Sequence, residues 1–345
     1  MLLSKENDTA ALTPVGASHF VSMTRGQLPL VLSAPHGGTE APDCIPDLRG
    51  GPYVSDKYTM DLVKELVPLI GREMGGREPF AVYNKLHRSK MDANRDLHEG
   101  TDGGLYATSV HDLYHDTLQQ CVDEAKLFAD EITNQVLLID IHGYAPLKAW
   151  NTSTWDSSWI MVGHLVSRKK LRSVKRLTNE DWVRGPASIG SLFQSEGLMA
   201  EPSTQRPVPN AGKYFSGGYI TERYRTTTTT TTNDDDDDDI TTKVQTIQLE
   251  LPMPMRDDLA NVAPRMAKAI AKLMYHWEMA SHDDDHELDN EEHYQPHEHS
   301  SEEKTMEDDN HAKFRNHHNH HRHPNEMYIQ PNSRDLKTGL TYSML

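Results

Sequence analysis

A single α/β domain is predicted, with a mixed, mostly parallel central sheet flanked by helices, and three observations carry that expectation. Short apolar, β-branched-rich runs alternate with segments of helical period between residues 15 and 280. One run, VLLIDI at 136–141, is apolar at nearly every position, as a central strand covered on both faces requires. No internal repeat interrupts the alternation, so one domain accounts for the whole stretch.

The elements follow in order. Strands are expected at Phe20–Met23, Pro29–Ser33, Phe80–Lys85, Val136–Ile141, Trp159–Gly163 and Val244–Leu249. Ser55 is read as an N-cap, because Leu62, Val63, Leu66 and Ile70 follow at helical spacing. Pro68 falls inside that pattern and is expected to kink or end the helix. A second helix is expected over 106–134, with Leu118, Cys121, Val122, Ala125 and Phe128 on one side. The last helix carries Leu259, Val262, Met266, Ile270, Leu273 and Trp277 in steps of three and four.

Charge divides the chain differently. The formal net charge of 345 residues is −17, but 226–239 reads TTTTTTTNDDDDDD and alone holds −6. Residues 281–345 hold 15 Asp and Glu against 6 Lys and Arg, together with 11 of the 20 histidines. Setting both blocks aside leaves −2 on the other 266 residues, so the predicted domain is nearly neutral. Both blocks are poor in aliphatic residues and cannot offset a backbone ordering entropy of about 1–2 kcal/mol per residue. The first is therefore read as a low-complexity insertion in a surface loop. The second is read as a disordered acidic tail whose HHNHHRH at 317–323 gives it some affinity for transition metals.

Composition also excludes function classes. The acidic balance argues against nucleic acid, whose phosphates it would repel. No run of eighteen apolar residues exists to span a membrane. Two cysteines, Cys44 and Cys121, allow neither a disulfide framework nor a cysteine zinc module. The polar N-terminus has no hydrophobic leader core, so a cytoplasmic location is expected.

Three motifs fall where a strand runs out, the place at which α/β sheets collect ligands. LPLVLSAPHGGTEAP ends a strand at Pro35-His36-Gly37-Gly38, with the carboxylate of Glu40 four residues past the histidine. VLLIDIHGY puts His142 at the end of the central strand, and VQTIQLELP puts Glu250 at the end of a late one. Two histidines, one carboxylate and an open position make a catalytic zinc site, and a separate carboxylate beside it would act as general base. Each residue alone also suits packing, capping or an exposed strand edge.

Further along, LHRSKMDANRD at 86–96 follows a strand with Arg88, Asn94 and Arg95. Guanidinium forks and an amide would hold an anionic substrate and polarise its carbonyl. The competing reading is an ion-pair network with Asp92 and Asp96. NAGKYFSGGYITERY at 210–224 reads either as a glycine-bearing loop offering Tyr219 as a hydrogen-bond donor or as a plain turn. His111 and His115 share a helix face, which suits a metal pair but better suits an exposed surface.

Taken together, APHGG (34–38), HRSKMDANRD (87–96), LIDIHGY (138–144), YFSGGYIT (214–221) and IQLEL (247–251) resemble, in that order, the N-formylglutamate amidohydrolase family. The resemblance spans about residues 30–255. It implies a zinc hydrolase of metallocarboxypeptidase-like fold, related to poly-γ-glutamate hydrolases. It implies His36 and His142 as zinc ligands and Glu250 as the catalytic glutamate. By the same resemblance Asn94 and Arg95 bind a substrate carboxylate and Arg88 polarises a carbonyl. The carboxypeptidase pattern is His-x-x-Glu, whereas here Thr39 stands at that position and glutamate comes one later, at Glu40. The third ligand is accordingly read as Glu40, with Asp43 and Asp56 as alternatives. The Thr/Asp insertion between the last two motifs is a second departure.

The expected function is zinc-dependent hydrolysis of the amide of an N-acyl amino acid such as N-formylglutamate, a small carboxylate-bearing substrate. Two alternatives stand beside it. One is a carboxypeptidase or poly-γ-glutamate-type hydrolase using the same site, and the other a non-catalytic metal-binding protein acting through its His-rich tail.

Overall fold

The longest β-branched apolar runs become the middle of the sheet. In the computed structural model, which describes residues 16–50, 53–129, 135–145, 159–177, 179–209, 214–226 and 242–288, seven strands form one sheet. They are β1 (Val21–Thr24), β2 (Leu30–Ala34), β3 (Phe80–Asn84), β4 (Gln135–Tyr144), β5 (Ile160–Gly163), β6 (Ala200–Glu201) and β7 (Lys243–Pro252), in the order β1-β3-β2-β4-β7-β5-β6. β3, β2, β4 and β7 run parallel, β1 is antiparallel on β3, and β5 is antiparallel on β7. The mixed, mostly parallel sheet is as expected. The six predicted strands each lie within a few residues of these bounds, and the two-residue β6 has too little sequence to carry a pattern.

Helices cover both faces. On one side α1 (Thr59–Glu73), α6 (Ile189–Ser195) and α9 (Leu259–Leu288) pack on Leu137, Ile139, Ile141, Leu249 and Leu251. On the other, α3 (Leu105–Lys126) and α7 (Tyr219–Tyr224) pack on Val136, Leu138, Val31 and Val82. The alternation along β4 therefore sends 137, 139 and 141 to one layer and 136, 138, 140 and 142 to the other. The other α-helices among the described residues are short: α2 (Leu97–Thr101), α4 (Arg168–Ser173), α5 (Glu180–Arg184) and α8 (Met253–Arg256).

The connection out of β2 passes through α1 to β3, and the connection back passes through α3 to β4 on β2's other side. The two crossovers lie on opposite faces, so the carboxyl ends of β2 and β4 flank a topological switch point, where open α/β sheets form a crevice. His36 follows β2 and His142 is near the end of β4.

Two helix expectations are corrected. α1 continues through Pro68 to Glu73; Pro68 is exposed, so the carbonyl that loses its partner can turn to water. Its N-cap is Tyr58, held at φ 68°, and not Ser55. Ser55 instead donates its hydroxyl to the carbonyls of His36 (3.1 Å) and Gly38 (3.0 Å), lacing two loops together. At the other end, α9 runs to Leu288, beyond the expected domain limit at 280. Every described residue lies in the unit Met1–His293; residues 227–239 of the insertion and 289–345 of the tail lie outside the described residues. Among the described residues no helix is long and apolar enough to cross a membrane.

Candidate metal centre

Three ligand atoms converge above the switch point. His36 Nδ1 and His142 Nδ1 are 3.1 Å apart, and Asp56 Oδ2 is 3.3 Å from each. All three residues are buried. Tetrahedral coordination with bonds of 2.0–2.1 Å has edges of about 3.3–3.4 Å, so these atoms outline one face of such a tetrahedron.

The outer hydrogen bonds say what the inner atoms must be. His36 Nε2 donates to Asp92 Oδ1 at 2.6 Å and His142 Nε2 to Asp140 Oδ2 at 2.7 Å. With both Nε2 protons so engaged, both Nδ1 lone pairs face each other and a carboxylate oxygen. That arrangement is repulsive without a cation or a proton between them, and carboxylate–histidine pairs of this kind orient metal ligands. Two imidazoles and a carboxylate suit a divalent transition metal.

Local sequence explains each placement. Gly38 is required because a Cβ there would overlap the Lys85 carbonyl, so only glycine lets the His36 loop lie against β3. Asp56 is brought in by a laced loop, its N–H donating to the His36 carbonyl at 2.9 Å. Asp140 and His142 are two apart on β4 and so share a face, and Ser33, Asp140's neighbour in register, donates to its Oδ1 at 2.8 Å. Tyr114 of α3 in turn bonds Ser33 at 2.8 Å, giving Asp140 a wholly buried support.

Glu250 pairs in register with His142 on the adjacent strand, facing the same side. Its Oε1 accepts from Gln248 at 2.8 Å. Burial raises its pKa to about 7, with Asp56 adding to the rise and His142 opposing it. Burial opposes the ionisation of Asp56 and Asp92 as well. Even so, the histidines hold Asp56 well below the ordinary carboxylate range, and His36 with Arg88 does the same for Asp92. For His142 burial acts downward, yet Asp140, by charge and hydrogen bond, and Asp56 raise it well above the usual value.

The structure does not bring Glu40 to the cluster. Its backbone bridges Lys85 and His87, and this pairing directs its carboxylate to His19, 2.7 Å away. Asp43 is not among the converging ligands either, and Asp56 is the carboxylate that stands there. Arg88 borders the site, Nε on Asp92 Oδ2 at 2.9 Å and Nη1 3.9 Å from Asp56 Oδ1, so part of the predicted ion-pair network is present as well. Asp96 instead caps α2, accepting from the amides of His98 and Glu99. Asn94 Oδ1 accepts from the Ile220 amide at the start of α7, and its Nδ2 lies 3.3 Å from His142 Nε2. Arg95 is half exposed, 4.0 Å from Asp92 and 3.5 Å from Glu99. Tyr219 accepts from Arg223 at 2.8 Å and sets its ring against His115; among the described residues no hydrogen bond joins it to the three ligands.

His111 and His115 are neither a metal pair nor an exposed face. Both are buried and bond the carbonyls of Arg95 and Ala93 at 3.0 Å, holding the loop that carries Asp92 and Asn94. Burial, then the neighbouring His111, lowers the His115 pKa to about 3, so its ring is neutral. Asp92, Asp140, Ser33, Gln248 and Arg256 escaped the motif reading as site residues. An acid inside an otherwise apolar strand was a legible signal for Asp140 alone.

No family model matches this chain, and no curated protein matches it. Among solved structures it is similar to the N-formylglutamate amidohydrolase from Ralstonia eutropha JMP134, with 12% identity over 76% of this chain and 99% of that one and a TM-score of 0.46. It is also similar to a gene product of Agrobacterium tumefaciens, with 11% identity over 76% of this chain and 94% of that one and a TM-score of 0.40.

Proposed function

We propose that this chain is a zinc-dependent amidohydrolase acting on an N-acyl amino acid, N-formylglutamate being one example, or on a similar amide with a nearby carboxylate. The observation that carries the reading is the triangle of His36, His142 and Asp56 with a buried glutamate of raised pKa on the next strand. A zinc ion held by those three residues would supply Lewis acidity towards a carbonyl oxygen and an attacking water.

The chain's own residues divide the remaining work. Glu250, ionised above about pH 7, takes the proton from water and returns it to the leaving amine. Arg88 offers its outer guanidinium nitrogens to the oxyanion; donors of this type contribute roughly 3–4 kcal/mol. Arg95, half exposed, and the amide of Asn94 hold the substrate carboxylate and so orient the scissile bond. Asp92 and Asp140 keep the histidines in the tautomer that presents Nδ1.

The test is hydrolysis of a panel of N-formyl and N-acetyl amino acids beside short α- and γ-glutamyl peptides, before and after chelation. Hydrolysis of the acyl amino acids, lost on chelation and restored by zinc, is expected. Hydrolysis of peptides alone would move the assignment to the carboxypeptidase or γ-glutamyl class, and chelator-resistant hydrolysis would remove the metal from the reaction.

A further inference from the structure

Arg256 on α8 is a buried cation for which, among the described residues, no carboxylate lies at ion-pair distance. A guanidinium in that position is costly, and each of its three nitrogens donates to a backbone carbonyl. Nε donates to the Leu251 carbonyl at 3.1 Å, Nη1 to Lys57 at 2.5 Å and Nη2 to Tyr144 at 3.1 Å. These carbonyls come from three separate stretches of chain, and each stretch carries a residue of the site. Leu251 follows Glu250, Lys57 follows Asp56, and Tyr144 lies two past His142.

The glycine of the LIDIHGY motif has its explanation here. A Cβ at Gly143 would overlap the guanidinium carbon of Arg256, so the strand end stays bare where the fork passes. A helix cap would engage one carbonyl of its own segment, whereas this fork ties a loop and two strand ends together.

We propose that Arg256 is a positioning residue that sets the spacing of Asp56, His142 and Glu250, and with it the metal affinity of the centre; this rests on reading the cluster as a metal site. The role depends on shape as much as charge. A planar fork can meet three carbonyls at once, while a lysine ammonium on a flexible stem is a point charge. Replacement by lysine therefore keeps the buried charge and loses the clamp.

The experiment is a cobalt(II) titration of the full chain followed by visible absorption, with His36→Ala/His142→Ala as the blank that removes binding by other histidines. Arg256→Lys and Arg256→Ala are each expected to weaken cobalt binding by about 10–100-fold, the usual effect of losing an outer support, and to alter the cobalt spectrum. Guanidinium ion at low millimolar concentration should restore part of the affinity of Arg256→Ala and none of that of Arg256→Lys. Thermal melts of each variant accompany the titration. A folded Arg256→Lys with parental affinity and spectrum overturns the proposal, as does a lowered melting temperature with unchanged cobalt binding. If Arg256→Ala does not fold, Arg256→Lys decides alone. A parent chain that binds no more cobalt than the blank overturns the metal reading itself, a result distinct from any difference among the Arg256 variants.

Discussion

In the proposed reaction Glu250 separates binding from chemistry at a single side chain. It pairs in register with His142, a proposed ligand, but offers none of the three converging atoms. Glu250→Gln should therefore retain zinc at the parental level and lower kcat by about 10²–10⁴, with a much smaller change in KM. Metal analysis alongside steady-state kinetics checks this; loss of zinc would make Glu250 a ligand. The pH dependence follows from the same burial. The base must be ionised, and its pKa is raised to about 7, so kcat/KM should fall as pH drops through that region or somewhat below it, since bound metal pulls the pKa down. Stability of the metal-free protein has the opposite sense. A carboxyl whose folded pKa is raised contributes fully at pH below its unfolded value near 4.5, and that contribution is lost as pH rises through about 7. In urea denaturation Glu250→Gln should gain on the parent over that window, by up to about 3 kcal/mol. A stability difference independent of pH would contradict it.

Strands and helices were legible in proportion to how much pattern they carry. β4 is a long apolar run and β7 a β-branched strand of alternating pattern paired parallel to it, and their ends announced His142 and Glu250. α1 and α9 showed their inner faces through three- and four-residue steps. What could not be read was long-range loop geometry. Asp56 lies 20 residues beyond His36 in a segment without period, while Glu40 lay at a tempting local spacing, and only the bridge to Lys85 and His87 shows why it turns away. The same limit hid the work of α3, whose His111 and His115 hold a loop far behind them in sequence. His115→Phe leaves the buried Ala93 carbonyl without its donor, and the fold should lose about 1–3 kcal/mol in urea denaturation. A loss below roughly 0.5 kcal/mol would show that the α3 face is ordinary packing.

At the scale of the whole molecule the charge balance and the metal are one subject. The formal charge of −17 is carried mostly by residues 226–239 and 281–345, whereas at the centre Asp56 and Asp92 lie within ion-pair reach of Arg88, and Asp92 of Arg95 as well. Without a cation, Asp140 and Asp56 raise the pKa of His142 and so favour a proton on that ring. Zinc binding should therefore release protons, and zinc affinity should fall as pH falls; calorimetry in buffers of different ionisation enthalpy reads both, and pH-independent affinity would contradict them. The most direct test of the central claim, that His36, His142 and Asp56 together hold one catalytic zinc, is the number of tightly bound zinc equivalents in chelator-stripped parent, Asp56→Ala and His36→Ala/His142→Ala chains. The parent should bind one equivalent more than either variant, with hydrolysis appearing as that equivalent is filled. Equal stoichiometry and equal affinity in all three would contradict the claim.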